Sequence, residues 1–471
     1  MKARHTHFRQ ARLFAESGSM TNGVVWKQIL FFFFPIVFGS FFQQLYNTVD
    51  AMVVGKVLGK QALAAVGGAT ASLVNLLIGF FIGLSSGATV IISQFYGAEN
   101  QSAVSRAVHT AMAMSLLFGL LLTGVGFLLT PWMLSVIATP EDVLPYAVSY
   151  LRVIFLGMVP QLVYNVGAGI LRAVGDSRRP LLFLIASCLT NIVLDVLFVV
   201  VFRMGVAGAA LATIASQFVS ACLVIRCLMR AKDATHLELK KIRLHKSLLA
   251  SITRIGLPTG LQSVMYSLSN VIIQKAINGF DTDALAGWTA YGKIDGLYWM
   301  MVNAFGIAVT TFVGQNFGAR KLDRCKKGVR TSFALCYGAT LIMGSVLLLF
   351  GEAFYSLFTD DPAVVDSGLH ILRLLVPWYL TYLPIEIFSG ALHGAGDTLI
   401  PTLITLFGVC LVRILWIVFA VPRWFMLDTV LYSYSITWVL TSILFFIYYL
   451  RGNWLKRCLK RSGMDMERQN T

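Results

Sequence analysis

Long apolar stretches alternate with short polar ones along the whole chain. The apolar runs fall near 26–53, 64–93, 104–130, 144–171, 179–202, 206–229, 248–277, 285–313, 329–351, 367–391, 399–421 and 429–450. Each reaches the roughly 20 residues that a helix needs to cross a bilayer. Backbone exposed to lipid must satisfy its hydrogen bonds within its own segment, so runs of this length predict helices and not strands. The pattern predicts an all-α integral membrane protein of about twelve transmembrane helices, six in each half.

Composition agrees with that medium. Of 471 residues, 57% are hydrophobic and only 13% charged, against about 25% charged in a soluble protein. The net charge of +16 raises nucleic acid as a partner, but the basic residues lie in alternate loops and form no single patch. One set of loops holds Arg172, Arg178 and Arg179, then Arg226, Arg230, Lys232, Lys240, Lys241, Arg243 and Lys246, then Arg320, Lys321, Arg324, Lys326, Lys327 and Arg330. The amino end (Lys2, Arg4, Arg9, Arg12) and the carboxyl end (Arg451, Lys456, Arg457, Lys460, Arg461) match that set. The opposite loops are often acidic, with Glu141, Asp142, Asp281, Asp283, Glu352, Asp360, Asp361 and Asp366. This positive-inside pattern predicts a multi-pass protein of the cell (inner or plasma) membrane with both termini cytoplasmic. Its basic loops should meet anionic membrane lipids, and no nucleic acid partner is expected.

Cys188, Cys222, Cys227, Cys325, Cys336, Cys410 and Cys458 are scattered, odd in number and without a CxxC pair. They predict neither a disulfide framework nor a metal cluster. The amino end lacks the short apolar core and cleavage site of a removable signal peptide, and residues 1–19 are assigned no function. Walker and HExxH motifs are absent. The expectation is a monomer that is not an enzyme and needs no cofactor, any active transport being driven by an ion gradient.

The two halves are copies. Leu171-Arg172-Ala173-Val174-Gly175-Asp176 returns 221 positions later as Leu392-His393-Gly394-Ala395-Gly396-Asp397. The same offset carries Ser93-Gln94-Phe95-Tyr96-Gly97-Ala98 onto Gly314-Gln315-Asn316-Phe317-Gly318-Ala319. With a small drift, Pro35 and Asn47 pair with Pro258 and Asn270. Duplicated halves in an apolar chain are the usual build of a secondary transporter that moves one half against the other. The expected organisation is a cytoplasmic tail (1–25), an amino-terminal six-helix lobe (26–229), a cytoplasmic linker (230–247), a second six-helix lobe (248–450) and a cytoplasmic tail (451–471). Pro35 and Pro258 each remove a backbone hydrogen bond early in the first helix of their half, so those helices can bend there.

Charges at bilayer depth are costly and each needs a reason. Gln43, Asn47 and Asp50 recur at i, i+4 and i+7, which places them on one helical face, as Asn191 and Asp195 are at i and i+4. Thr213 completes a plausible ring of oxygens. Two carboxylates in one cavity either share a proton or are neutralised by a hard cation held through oxygen. Asp50 and Asp195 would thus be the metal ligands if the ion is Na⁺. The bland alternative is a pair of buried acids that fix helix packing.

The second half lacks this cluster, since Asp195 maps onto Trp416 and Asp50 onto Ile273. Its first helix carries neutral polar groups, including Gln262, Tyr266 and Asn270, and a Lys275 placed to snorkel at the outer end. Glu386 lies deeper and is a third candidate carboxylate. Lys293 and Asp295 are two apart and do not face one another, and Arg413 is a possible structural partner for one of the second half's acids. Tyr46, Tyr164, Tyr266, Tyr298, Trp299 and Met300 are expected singly to pack in the core, and a subset of them is the candidate lining of a pocket that takes a flat cation.

Phe42-Gln43-Gln44-Leu45-Tyr46-Asn47-Thr48-Val49-Asp50, the Leu171 to Asp176 motif, Gly205-Val206-Ala207-Gly208-Ala209-Ala210 and Gly314-Gln315-Asn316-Phe317-Gly318-Ala319 resemble the multidrug and toxic compound extrusion (MATE) family. The resemblance runs from about residue 26 to 450. It implies a V-shaped pair of six-helix lobes that exports cationic, lipophilic small molecules in exchange for H⁺ or Na⁺. It also implies a cation-coupling site at Asp50, Asn191, Asp195 and Thr213, and a hinge at Pro35. Gln43, Tyr46, Asn47, Tyr266, Asn270 and Glu386 are the candidate lining of the substrate cavity. Some members carry an acidic residue in the seventh helix, and this chain has none between Ser251 and Ile277, which favours coupling in the amino-terminal lobe. A flippase for a lipid-linked precursor would share the layout but would want a cationic central cavity.

Overall fold

The computed structural model describes residues 19–137, 139–451 and 454–461. The expected tail up to residue 18, and the carboxyl tail apart from those last helical residues, lie outside them. Nearly every described segment is helical. Among the described residues ten helices are long and apolar enough to cross a membrane, and the pair Leu144–Leu156 and Met158–Ala173, bent by 51° at Gly157, makes an eleventh if counted as one span. The remaining expected span, near 248–277, is one unbroken helix, Lys246–Ile277. Ser, Thr, Gln and Asn side chains along it make it more polar than those ten.

The chain forms two compact units, and they are not consecutive stretches. One is built mainly on Phe34–Gly260; the other joins Thr21–Phe33 to the chain from Leu261 onward. Relative to the lobes expected from sequence, the units exchange the start of the first helix and the start of the seventh.

In order, the first unit takes most of α1 (Val25–Leu58), then α2 (Lys60–Gly67), α3 (Ala69–Gly97), α4 (Gln101–Val136), α5 (Leu144–Leu156), α6 (Met158–Ala173), α7 (Arg178–Asp195), α8 (Gly205–Met229) and the start of α9 (Lys246–Ile277). Residues 196–201 continue α7 as a π-helical turn. The second unit takes the rest of α9 with α10 (Thr282–Gly318), α11 (Leu322–Leu349), α12 (Gly351–Tyr355), α13 (Pro362–Leu375), α14 (Tyr379–Gly394), α15 (Leu399–Thr405), α16 (Val412–Phe419), α17 (Leu427–Arg451) and α18 (Trp454–Arg461). A second π-turn, Leu406–Leu411, joins α15 to α16.

Both helices that change unit do so beside a proline, α1 at Phe33/Phe34 next to Pro35 and α9 at Gly260/Leu261 just after Pro258. Each is held by a different device. In the first unit, Gly83 and Gly87 of α3 meet Gly256 and Gly260 of α9 backbone to backbone. A Cβ on Gly83 would lie 2.6 Å from the Gly260 Cα, and one on Gly260 would lie 2.7 Å from the Phe80 carbonyl oxygen. Small residues four apart on both helices allow that approach. In the second unit, Lys321 donates to the Thr21 carbonyl (2.9 Å) and to Asn22 Oδ1 (2.8 Å). Arg324 donates to the Gly23 carbonyl (2.9 Å) and to Gln28 Oε1 (2.6 Å). The Phe33 ring stacks on Phe305 with centroids 4.1 Å apart.

The repeated motif has a local cause. Gly175 and Gly396 have φ of 92° and 88°, a left-handed region that glycine enters without penalty. Each ends its helix with the same pair of bonds: Asp176 N–H to Leu171 and Gly175 N–H to Arg172, then Asp397 N–H to Leu392 and Gly396 N–H to His393. This is a Schellman end. Asp176 then accepts from the N–H groups of Arg178 and Arg179 and starts α7.

The linker lies back on the first unit through two histidines. His109 Nδ1–H donates to the Ser105 carbonyl (2.7 Å), and its Nε2 accepts from the Glu238 N–H (3.1 Å). Thr110 spends its proton on the Arg106 carbonyl, so its oxygen accepts from His245 Nδ1 at 3.0 Å. His245 Nε2 in turn accepts from Arg243 Nε at 3.1 Å.

Candidate functional site

In the first unit, α1 carries Asp50 and, one turn earlier, Tyr46, both buried. Asn191 and Asp195 share one face of α7 and are wholly buried, and the π-turn begins at the next residue. π-turns often mark functional sites. Asp195 and Asp50 lie within electrostatic reach of each other, and Tyr150 of α5 feels Asp50, Tyr46 and Asp195 together. Gln43 and Gln217 lie beside the Tyr46 hydroxyl.

The polar atoms here are left without partners. Asp50 Oδ1, both oxygens of Asp195, both side-chain polar atoms of Asn191 and Gln217 Oε1 are buried and make no hydrogen bond. Among the described residues, no ion pair reaches either acid. Packing alone would satisfy such groups, because a buried, unpartnered polar atom costs about 1–3 kcal/mol. Oxygen-rich, acidic and unsatisfied, the cluster has the chemistry of a proton or hard-cation site.

Not every sequence-predicted residue joins it. Thr213 donates to the Ala209 carbonyl at 3.1 Å and makes no hydrogen bond to Asp50, Asn191 or Asp195. Gln43 and Asn47 are exposed. Pro35 sits inside a continuous helix. Tyr150 and Gln217 were not legible as members, because they come from α5 and α8, far away in sequence.

The second unit holds a contrasting group. Asp295 of α10, half-buried, accepts from the Tyr379 hydroxyl (2.6 Å) and from Trp299 Nε1 (2.7 Å). Tyr291 bonds Tyr379 at 2.9 Å, and Tyr298 donates to the Tyr379 carbonyl at 3.0 Å. The Tyr298 and Tyr379 rings stack with centroids 3.9 Å apart. Glu386 of α14, also half-buried, accepts from Tyr382 at 3.3 Å. Tyr266 lies beside Tyr382 and Glu386, whereas Asn270 is exposed.

Two expectations need correction, for Arg413 and for Asp295. Arg413 pairs with neither Asp295 nor Glu386; it donates to Thr437 Oγ1 (3.0 Å) and lies over the Tyr434 ring (4.2 Å). Tyr298 is fully buried, in keeping with core packing. Tyr164 is likewise buried and donates to the Pro180 carbonyl at 3.2 Å. Asp295, read from sequence as a member of a doubtful i, i+2 pair with Lys293, is instead the centre of a tyrosine network. Its one sequence cue was Trp299, four residues on.

A duplicated, many-span helical chain with unsatisfied acids in its interior defines a membrane transporter. The same fold is seen in a solved structure described as the outward-facing conformation of a multidrug resistance MATE family transporter of the MOP superfamily. That structure matches at a TM-score of 0.86 with 23% identity, over 93% of this chain and 98% of that one. The chain belongs to the MatE family, whose model matches residues 35–197 and again 258–419, once in each half. It is 29% identical over 396 residues to the probable multidrug resistance protein YoeA of Bacillus subtilis, covering 82% of this chain and 84% of the relative. It is 26% identical over 441 residues to the probable multidrug resistance protein YpnP of the same organism, covering 92% and 97%.

Proposed function

We propose that this protein is a secondary antiporter of the cell membrane, with both termini cytoplasmic, that exports cationic lipophilic compounds in exchange for H⁺ or Na⁺. The observation that carries the reading is the set of unpartnered oxygens on Asp50, Asn191 and Asp195. One H⁺ or Na⁺ taken up there cancels one of two like charges that burial penalises. Neutralisation frees α1 to bend at Pro35, which reshapes the cavity and releases substrate outside. Gln43 and Asn47, exposed on the same helix, and Tyr266, Asn270 and Glu386 in the second unit are proposed to contact substrate.

The driving force is limited. A potential of order 150 mV supplies about 3.5 kcal/mol per charge moved. That sustains an outward gradient of roughly 300-fold per net charge, at about 1.4 kcal/mol for each tenfold. The relatives' multidrug-resistance names support efflux and do not favour the flippase reading.

The test is accumulation of a fluorescent cationic dye in proteoliposomes under an imposed pH or Na⁺ gradient. Asp50→Asn and Asp195→Asn should each abolish gradient-driven accumulation while the protein still inserts. Full transport by either variant would remove that acid from the coupling site. Accumulation that ignores both gradients would sink the antiporter reading.

A further inference from the structure

Arg152 of α5 lies within a membrane span, the bent pair Leu144–Leu156 and Met158–Ala173. Among the described residues no acid pairs with it, and its Nε–H is buried without an acceptor. The guanidinium rests instead on the Phe127 ring of α4, 5.3 Å from the centroid. A cation held within a bilayer needs a reason, and the protein supplies only an aromatic face.

Depth decides what else is on offer. α4 has 36 residues and is about 54 Å long at ~1.5 Å per residue. A bilayer with its headgroups measures roughly 40–45 Å, so each end of a centred α4 projects by about 5 Å. Phe127 stands about two and a half turns, or ~13 Å, before the end of α4. Ring and guanidinium therefore sit roughly 8 Å inside the membrane surface, where headgroups give way to acyl chains. Arg152 enters from the same face, about two turns into α5, and its side chain leans toward the start of that helix.

Packing fixes the position. A Cβ on Gly126 would lie 2.1 Å from Phe155 Cδ1, and Thr123 donates to the Phe155 carbonyl at 2.9 Å. α4 and α5 thus cross tightly, with half-buried Arg152 at the edge of the crossing. Leu128, Leu129 and Leu156, which flank it in sequence, are exposed.

We propose that Arg152 and Phe127 form a binding site for the phosphate of an anionic phospholipid, in the leaflet beside the Glu141 and Asp142 loop. A phosphate oxygen takes the Nε–H, and the acyl chains cover the three leucines. A guanidinium suits phosphate because it offers parallel donors. The basic loops are expected at the opposite face, so this lipid is not theirs. Tyr150, two residues earlier and so on the other side of α5, lies within electrostatic reach of Asp50, Tyr46 and Asp195. The lipid steadies the same helix that flanks the acid pair, and its binding does not depend on the export reading.

The full-length protein in neutral detergent is titrated with phosphatidylglycerol or phosphatidylcholine of the same acyl chains, and retained lipids are counted by native mass spectrometry. Wild-type protein should hold one more phosphatidylglycerol than Arg152→Gln, whose affinity for that lipid should fall at least fivefold. Arg152→Lys should lie between, since it keeps the charge and loses the parallel donors. Equal retention by wild type and Arg152→Gln overturns the site and leaves snorkelling to water as the account of Arg152. An Arg152-dependent lipid that is as readily phosphatidylcholine overturns the anionic preference. Its displacement by millimolar inorganic phosphate overturns the lipid as occupant in favour of a free anion. Should Arg152→Gln not fold, the wild type decides. Phosphatidylglycerol with a diazirine beside its glycerol should label α4 or α5 within a turn of Phe127 or Arg152, and labelling confined to other helices overturns the site.

Discussion

Replacing Gly83 by alanine should loosen the crossing of α3 and α9 by an amount that can be worked out. The new Cβ would stand 2.6 Å from the Gly260 Cα, 2.7 Å from its nitrogen and 2.9 Å from the Thr259 carbonyl carbon. Ordinary contact begins near 3.4 Å, so α9 must retreat by about 0.8 Å. All three neighbours are backbone, which no rotamer change can move aside. Overpacking of this kind costs about 1–3 kcal/mol, and alanine in a helix returns roughly 0.5–1 kcal/mol. The net expectation is a loss of up to about 2.5 kcal/mol, seen as a lower melting temperature of the solubilised protein by fluorescence-detected size exclusion. Transport should slow as well, because the displaced helix also carries Tyr266. Gly292→Ala is the control: nothing lies within 4 Å of its Cβ, so the helix gain stands alone. If Gly83→Ala melts at or above Gly292→Ala, the close crossing is not what holds the start of α9.

Tyr379→Phe removes the 2.6 Å bond to Asp295; a loss of about 1–3 kcal/mol and a lower melting temperature should follow, and an unchanged melt would mean the network is not stabilising. The linker should respond to acid. His245 is held below its ordinary 6.5 by partial burial and by Arg243, Arg106 and His109. Glu238, beside Lys241 and His236, is held low by its bond to Lys241, so it stays ionised through this range. The neutral His245 ring accepts from Arg243, so docking is complete above pH 6.5 and is lost as pH falls through the lowered value. Hydrogen exchange of residues 236–245, corrected for intrinsic rate, should therefore quicken between pH 7.5 and 5.5, and His245→Gln should flatten that dependence. Exchange with no pH response would rule out histidine control of the linker.

The bilayer made much of this fold legible. Long apolar runs can only be helices in lipid, and the recurrence of Leu171 to Asp176 at Leu392 to Asp397 showed the duplication, because a left-handed helix end needs glycine in both copies. The run near 248–277 is the most polar of the twelve, yet it too marked a helix, the 32-residue α9; Pro258 and Asn270, aligned with Pro35 and Asn47, supported that reading. Within the site, spacing placed Gln43, Asn47 and Asp50 on one face but could not say that Asp50 is buried while the other two are exposed. Tertiary partners were out of reach of local pattern. Tyr379 meets Asp295 across 84 residues, and the unsatisfied state of Asp195 or of Arg152 depends on what every neighbouring helix does not offer. Apolar runs likewise gave no mark for the change of unit at Phe33/Phe34 beyond the proline beside it.

That change of unit has a consequence for biogenesis. Residues 21–33 are synthesised before the groups that clasp them, Phe305, Lys321 and Arg324, which emerge about 300 residues later. The first unit in turn lacks the strand of glycine contacts at Gly256 and Gly260 until the linker has been made. Neither half can finish packing while the other is untranslated. During synthesis the amino end of α1 must wait in lipid, or beside the insertion machinery, for a partner that does not yet exist.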